Sequence, residues 1–218
     1  MFKKTTRPYI EKFIAKYATT ERILDVGSGG SSYHRYFPNR LTVDIDPERK
    51  PEVVADAKSL PFKTGEFTAV LCTEVLEHVD DPKVVAAELM RVLAENGTLI
   101  LTTRFVYPLH DTPSDYFRFT KYGLQLLFSE WDIVEISSEM GDFATIGTLV
   151  QRIGFQSDMR GGRVSKLLVY CLARCLVALD WLILKEYGNI KKSVVESNIL
   201  STGVHIAVRK NKKRTALK

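Results

Sequence analysis

The sequence predicts an α/β fold: a doubly wound, mostly parallel sheet of seven strands, with a helical insertion before the last strand. Three observations carry that expectation. Short apolar runs of strand type alternate with stretches of helical period, the order that yields parallel strands joined by crossover helices. The first run, Ile23-Leu24-Asp25-Val26, closes on a glycine-rich turn, Gly27-Ser28-Gly29-Gly30-Ser31-Ser32. Asp44, Asp56 and the residues after Cys72 likewise follow strands. All of them would gather at the carboxyl edge of the sheet, where such folds bind ligands.

The elements follow in order. Thr6 to Tyr17 sets Ile10, Phe13, Ile14 and Tyr17 at helical spacing and leads into the first strand. Within that strand Asp25 is costly unless its carboxylate is paired or hydrogen-bonded. The glycines after it let backbone approach a ligand closely. Tyr33 to Phe37 has room only for a short helix before Pro38-Asn39. Leu41-Thr42-Val43-Asp44 repeats a strand ending in an acid about twenty residues on, the spacing of a ribose-holding carboxylate. Glu52 to Ala55 is a third short strand, ending in Asp56-Ala57. Phe67 to Cys72 is continuously apolar, as a strand buried on both faces should be.

Pro82 to Leu93 reads as a helix with Val84, Val85, Leu89, Val92 and Leu93 inward and Glu95-Asn96-Gly97 as its stop. Thr98 to Thr102 is a fifth strand. Thr120 is placed to cap a helix through Leu124, Leu127 and Phe128, and Asp132 to Ser137 is the sixth strand. Gly203 to Val208 is the last.

The insertion, about 142–200, centres on a helix from Val164 to Leu184. There Lys166, Tyr170, Arg174 and Asp180 fall on one stripe and the rest of the surface is largely apolar. Arg174 and Asp180 would each cost roughly 2.5–3.5 kcal/mol at mid-bilayer, which argues against a membrane span. A cap packed on the domain or on a second copy of the chain is the default reading. The sharper one is a helix lying in the plane of a membrane, with Trp181, Arg174 and the basic tail at its surface.

With 218 residues the chain reads as one domain, 1–209, and a basic tail, 210–218. The net charge is +5, but Arg209 to Lys218 hold six basic residues and no acid, leaving −1 (5 less 6) for the rest. A near-neutral body offers no electrostatic footprint for nucleic acid. Three cysteines without CxxC spacing fit a reducing compartment and no disulfide framework. No secretion signal is visible, so the expected location is cytoplasmic, peripheral to a membrane on the sharper reading.

The motifs converge on one family. ILDVGSGGSS, LTVDID, VADAKSLPF, FTAVLCTEVLEHVDDP and VLAENGTLILTT, in that order, resemble the motifs of class I S-adenosylmethionine-dependent methyltransferases, in particular the type 11 group. The resemblance implies a Rossmann-like fold whose last strand returns antiparallel. It implies that Asp25, Gly27, Ser28 and Gly29 hold the methionine part of S-adenosyl-L-methionine, Asp44 the ribose, and Asp56 with Ala57 the adenine edge. Ile45, Thr73 and Glu74 complete the implied cofactor set. Two positions depart from the family pattern: Ser31 replaces a third glycine and Thr68 an acid.

Methyl transfer from a sulfonium needs alignment and exclusion of water, and a base only where the acceptor is a hydroxyl or similar group. Candidates lie after the fourth strand (Glu74, Glu77, His78) and in the polar and aromatic loop YPLHDTPSDYFRFT after the fifth. His110 is the expected general base, with Asp111 or Asp115 orienting it. His78 is read as structural or cofactor-facing, and His205, in the last strand, as packed. No HxxxH or ExxH spacing sets metal ligands on a helical face, so no metal is expected. The expected activity is methylation of a small-molecule, glycan or lipid-linked acceptor, weakly favouring oxygen. A nicotinamide-dependent oxidoreductase is disfavoured by GSGGSS in place of GxGxxG. A catalytically silent nucleoside-binding scaffold is the third reading.

Overall fold

The computed structural model describes residues 5–30 and 33–211. Seven strands form one sheet: β1 (Ile23–Val26), β2 (Arg40–Asp44), β3 (Val53–Val54), β4 (Phe67–Thr73), β5 (Leu93–Arg104), β6 (Asp132–Ser138) and β9 (Gly203–Arg209), with β7 (Glu186–Tyr187) and β8 (Val195–Glu196) making a separate hairpin. The spatial order is β3-β2-β1-β4-β5-β9-β6, parallel except for β9, which runs antiparallel to both β5 and β6. The doubly wound sheet and the returning last strand are thus both present.

Side chains alternate across this sheet. Leu24 and Val26 face a core with Val70, Cys72, Leu89 and Leu101, whereas Ile23 joins Leu71, Ile100 and Ala207 on the other side. The second side is closed by α1 (Arg7–Ile14), through Ile10, Phe13 and Ile14. The first is closed by α2 (Pro82–Val92), capped by Asp81, whose carboxylate accepts from the amides of Lys83 and Val84. Val84, expected inward, is 43% exposed; Ala86 and Met90 are buried instead. The expected stop after Leu93 is also corrected. Leu93 is already extended and belongs to β5, and Gly97 packs where a Cβ would lie 2.8 Å from the Thr68 carbonyl oxygen. The Glu95-Asn96-Gly97 segment is an irregularity within β5, with Asn96 at φ +62° and the pairing with β4 shifting register across it. Short α3 (Lys121–Leu127) begins as expected, with the Thr120 hydroxyl accepting from the Gly123 amide.

The insertion differs from the single helix over 164–184. It comprises α4 (Asp142–Gln156) and α5 (Gly162–Val177), then a 3-10 turn at Asp180–Leu182 and the β7–β8 hairpin. Asp180 leaves the stripe because its carboxylate has a better partner: Oδ1 accepts the Ala144 amide at 3.0 Å, at the N-terminus of α4. The two helices touch almost backbone to backbone, since a Cβ on Gly147 would lie 2.6 Å from the Ala173 carbonyl oxygen. The outer side of α5 stays bare, with Val164, Leu167, Leu168 and Leu172 between 51% and 67% exposed. Among the described residues no helix is long and apolar enough to cross a membrane. Most of the basic tail, and Ser31, lie outside the described residues.

Candidate active site

The strand tips build a cavity of about 680 Å³ at the carboxyl edge. At the end of β1 the amides of Gly27 and Ser28 donate to the Val43 carbonyl, at 2.8 and 3.1 Å, pinning the glycine turn to β2. Gly27 has φ +67°, and a Cβ there would stand 2.1 Å from Val75 Cγ2, so only glycine lets the two turns meet. The Asp44 carboxylate accepts from the Gly29 amide (2.8 Å) and the Asp46 amide (3.0 Å), which fixes it at the cavity wall with lone pairs to spare.

Nine of the ten residues expected to hold the cofactor line this cavity: Gly27, Ser28, Gly29, Asp44, Ile45, Asp56, Ala57, Thr73 and Glu74. Asp25 does not. The alternation of β1 turns it to the face of Ile23, where it is fully buried and pairs with Arg40 at 3.2 Å. Burial pushes its carboxyl up to about 7 against the opposing pull of Arg40. The ion pair ties β1 to the start of β2. Tyr116, from the acceptor-side loop, also lines the cavity, as do Tyr33 and Arg49, which had no motif to announce them. A strand-tip acid, amides without bulk above them and a cavity of this size suit an adenosine-bearing ligand.

The acceptor-side loop packs on the connection between β4 and α2. The amides of Tyr116 and Phe117 donate to the Glu77 carbonyl at 2.8 and 3.1 Å. Asp115 organises the loop: it accepts from the His110 amide (3.0 Å), lies 3.4 Å from His110 Nδ1 and takes two bonds of 2.7 Å from Arg118. Arg118 holds the Asp115 carboxyl far below the usual range. Asp115 is therefore the carboxylate beside His110, while Asp111 is exposed at the cavity mouth. Burial, then the neighbouring His78 ring, lower the His110 pKa, leaving the imidazole neutral near pH 7. The His110 ring packs edge-on against His78 at 4.7 Å and Tyr107 at 5.1 Å, but His110 does not line the main cavity; His78 does.

Sequence reasoning missed Glu139 here and left Glu77 a candidate without an assigned role. Glu77 is fully buried beneath the loop; Thr103 donates to its Oε2 at 2.7 Å, and its Oε1 has no hydrogen-bond partner and lies 4.0 Å from His110 Nε2. Burial and then Glu74 push the Glu77 carboxyl up to about 8. Glu139 pairs with buried Arg104 at 2.9 Å, and Arg104 also contacts Glu74, tying the cavity wall to the start of the insertion. His205 is packed as expected, stacked on Phe13 at 4.9 Å, with burial lowering its pKa to about 3.

Residues 24–101 match a family model described as a methyltransferase domain. This segment is a type 11 methyltransferase domain of class I. S-adenosyl-L-methionine is the cofactor of such domains, and the cavity residues above fit it. Over 114 residues the chain is 32% identical to the ubiquinone biosynthesis O-methyltransferase of Xanthomonas oryzae pv. oryzae, covering 44% of this chain and 46% of the relative. Over 102 residues it is 31% identical to the demethylmenaquinone methyltransferase of Renibacterium salmoninarum, covering 40% and 43%. The chain spans less than half the length of both relatives. The YcgJ protein of Bacillus subtilis shares the fold, with a TM-score of 0.57 over 94% of this chain and 99% of that one at 15% identity. The matched segment holds the glycine turn and the strand-tip acids Asp44 and Asp56.

Proposed function

We propose that the chain transfers a methyl group from S-adenosyl-L-methionine to a hydroxyl of a small-molecule, glycan or lipid-linked acceptor. One observation carries the reading: a single cavity is walled at one end by the nucleoside-type residues and at the other by His78, Asp111, Ser114 and Tyr116. When bound, S-adenosyl-L-methionine supplies a methyl group already activated as a sulfonium. The Gly27–Gly29 turn, Asp44, Asp56 and Ala57 would grip it, with Glu74 beside the turn. The 104–120 loop would align the acceptor oxygen in line and keep water away, which is most of what the reaction requires. His110, neutral and backed by Asp115, would accept the hydroxyl proton. A lipid-linked acceptor is favoured by the two relatives, one named for ubiquinone biosynthesis and one for demethylmenaquinone. It is favoured too by the bare leucines of α5 beside Arg163 and Lys166, an amphipathic face suited to an anionic membrane.

Labelled-methyl transfer to cell extract, fractionated into aqueous and lipid pools, tests the reading. Label in a hydroxyl-derived ether of the lipid pool is the expected result. Calorimetry showing NAD binding without binding of S-adenosylhomocysteine would overturn it. Flotation with anionic liposomes at low salt tests the α5 face, and a protein left wholly in the soluble fraction removes the membrane contact.

A further inference from the structure

We infer that Glu77, His78 and His110 form a binding site for one divalent transition-metal ion at the acceptor end of the cavity. The three residues come from two segments that the fold brings together, and one ligand atom from each lies within 4.8 Å of the others. Two imidazoles and a carboxylate are a donor set for zinc, manganese, iron or cobalt, whereas magnesium and calcium take oxygen ligands almost alone. Ligand atoms of a tetrahedral site stand roughly 3.3 Å apart, so side-chain movements of about an ångström would close the set around an ion.

The surroundings are those of a metal site. Ligating histidines usually direct their second ring nitrogen at a carboxylate or a backbone carbonyl, which fixes the ring and its tautomer. His78 does so, and His110 Nδ1 faces a carboxylate without a hydrogen bond to it. His78 Nδ1 lies 2.6 Å from the Ser114 carbonyl oxygen, which can only accept, so this nitrogen carries the proton and Nε2 keeps its lone pair. His110 Nδ1 lies 3.4 Å from Asp115 Oδ2, leaving His110 Nε2 facing Glu77 Oε1 at 4.0 Å. Glu77 gives the independent observation. Its side chain is fully buried, Thr103 orients one oxygen, and the other is unpartnered and aimed at the histidine pair. A buried carboxylate oxygen with nothing to bond is expensive, and a cation satisfies it.

For its use, though not for its existence, the site rests on the methyl-transfer reading. Three protein ligands leave open positions, and His78 borders the cavity. An acceptor hydroxyl bound there loses its proton to solvent more readily. The oxygen lone pair then forms the new O–CH₃ bond, while the electrons of the broken S–CH₃ bond stay on sulfur as a thioether. In the metal-loaded enzyme His110 is a ligand, and it is a base only without the ion.

The test is equilibrium binding of Zn²⁺, Mn²⁺ and Co²⁺ to the chelator-stripped full chain, with the Co²⁺ visible spectrum as a geometric readout. One equivalent bound by the wild type, and at least tenfold weaker binding by His78→Ala, His110→Ala and Glu77→Gln, is the expected result. Calorimetry with S-adenosylhomocysteine checks the His110→Ala and Glu77→Gln variants independently, because His110 and Glu77 lie off the cofactor cavity. No stoichiometric binding by the wild type, or undiminished binding by the folded His110→Ala variant, overturns the site. Failure of nucleoside binding in a protein that still takes one metal would instead overturn the methyl-transfer reading alone.

Discussion

Asp180 caps a helix that begins 38 residues before it: its Oδ1 accepts the Ala144 amide at 3.0 Å. The residue ahead of α4 is Gly141, which has no side chain for the task. Asp180→Ala should therefore cost about 0.5–2 kcal/mol of stability, as other lost caps do, and lower Tm by a few degrees. Thermal unfolding followed by circular dichroism measures it; an unchanged Tm would mean the bond contributes nothing.

Asp44 bonds two amides and still faces the cavity. Asp44→Ala should weaken S-adenosylhomocysteine binding by roughly 1.5–3 kcal/mol, the worth of charge-assisted hydrogen bonds. Asp44→Asn, which retains an acceptor oxygen, should fall between. Titration calorimetry on the three proteins reads the order directly.

His110→Ala should leave cofactor affinity as it is and reduce methyl transfer roughly a hundredfold or more, whether the imidazole acts as base or as ligand. Turnover equal to wild type with the acceptor found by labelling would remove His110 from the reaction.

Stability should fall as pH rises above neutrality. An unperturbed Glu77 carboxyl titrates at 4.5, but in the fold it is pushed up to about 8 by burial and by Glu74. Across that window the folded chain keeps a proton the unfolded chain has lost, so raising pH favours unfolding. Burial likewise raises Asp25 and Glu139 to about 7. His205, lowered to about 3 from 6.5, acts in the opposite sense, but only between those values. Above pH 6.5 the acids act alone. With chelator present, Tm should be lower at pH 8 than at 6.5, and Glu77→Gln should remove part of the difference.

What was legible in the chain was local. Apolar runs broken by glycine and acid marked the strands, and Asp44, Asp56 and the turn glycines reached the cavity because a strand's end is set by its own sequence. Asp25 adjoins the turn, but the pleat faces it to the side of Ile23, where it meets Arg40, a contact that no motif announced. The end of α5 was not legible, since Asp180 leaves the helical pattern for a partner on another helix. Nor was the meeting of Glu77 with His110, which depends on a loop laid across β4 by the bonds of Tyr116 and Phe117. No spacing encodes a contact made only when two segments cross.

The position of β9 between β5 and β6 has an evolutionary corollary. Ser138 stands opposite Val204, and the Glu139 amide donates to the Gly203 carbonyl at 2.9 Å, so the long excursion between them departs and returns on the same rung. Such a block behaves as a cassette. Mutation can lengthen, trim or rewrite it while its two anchor points and the strand tips that line the cavity stay put.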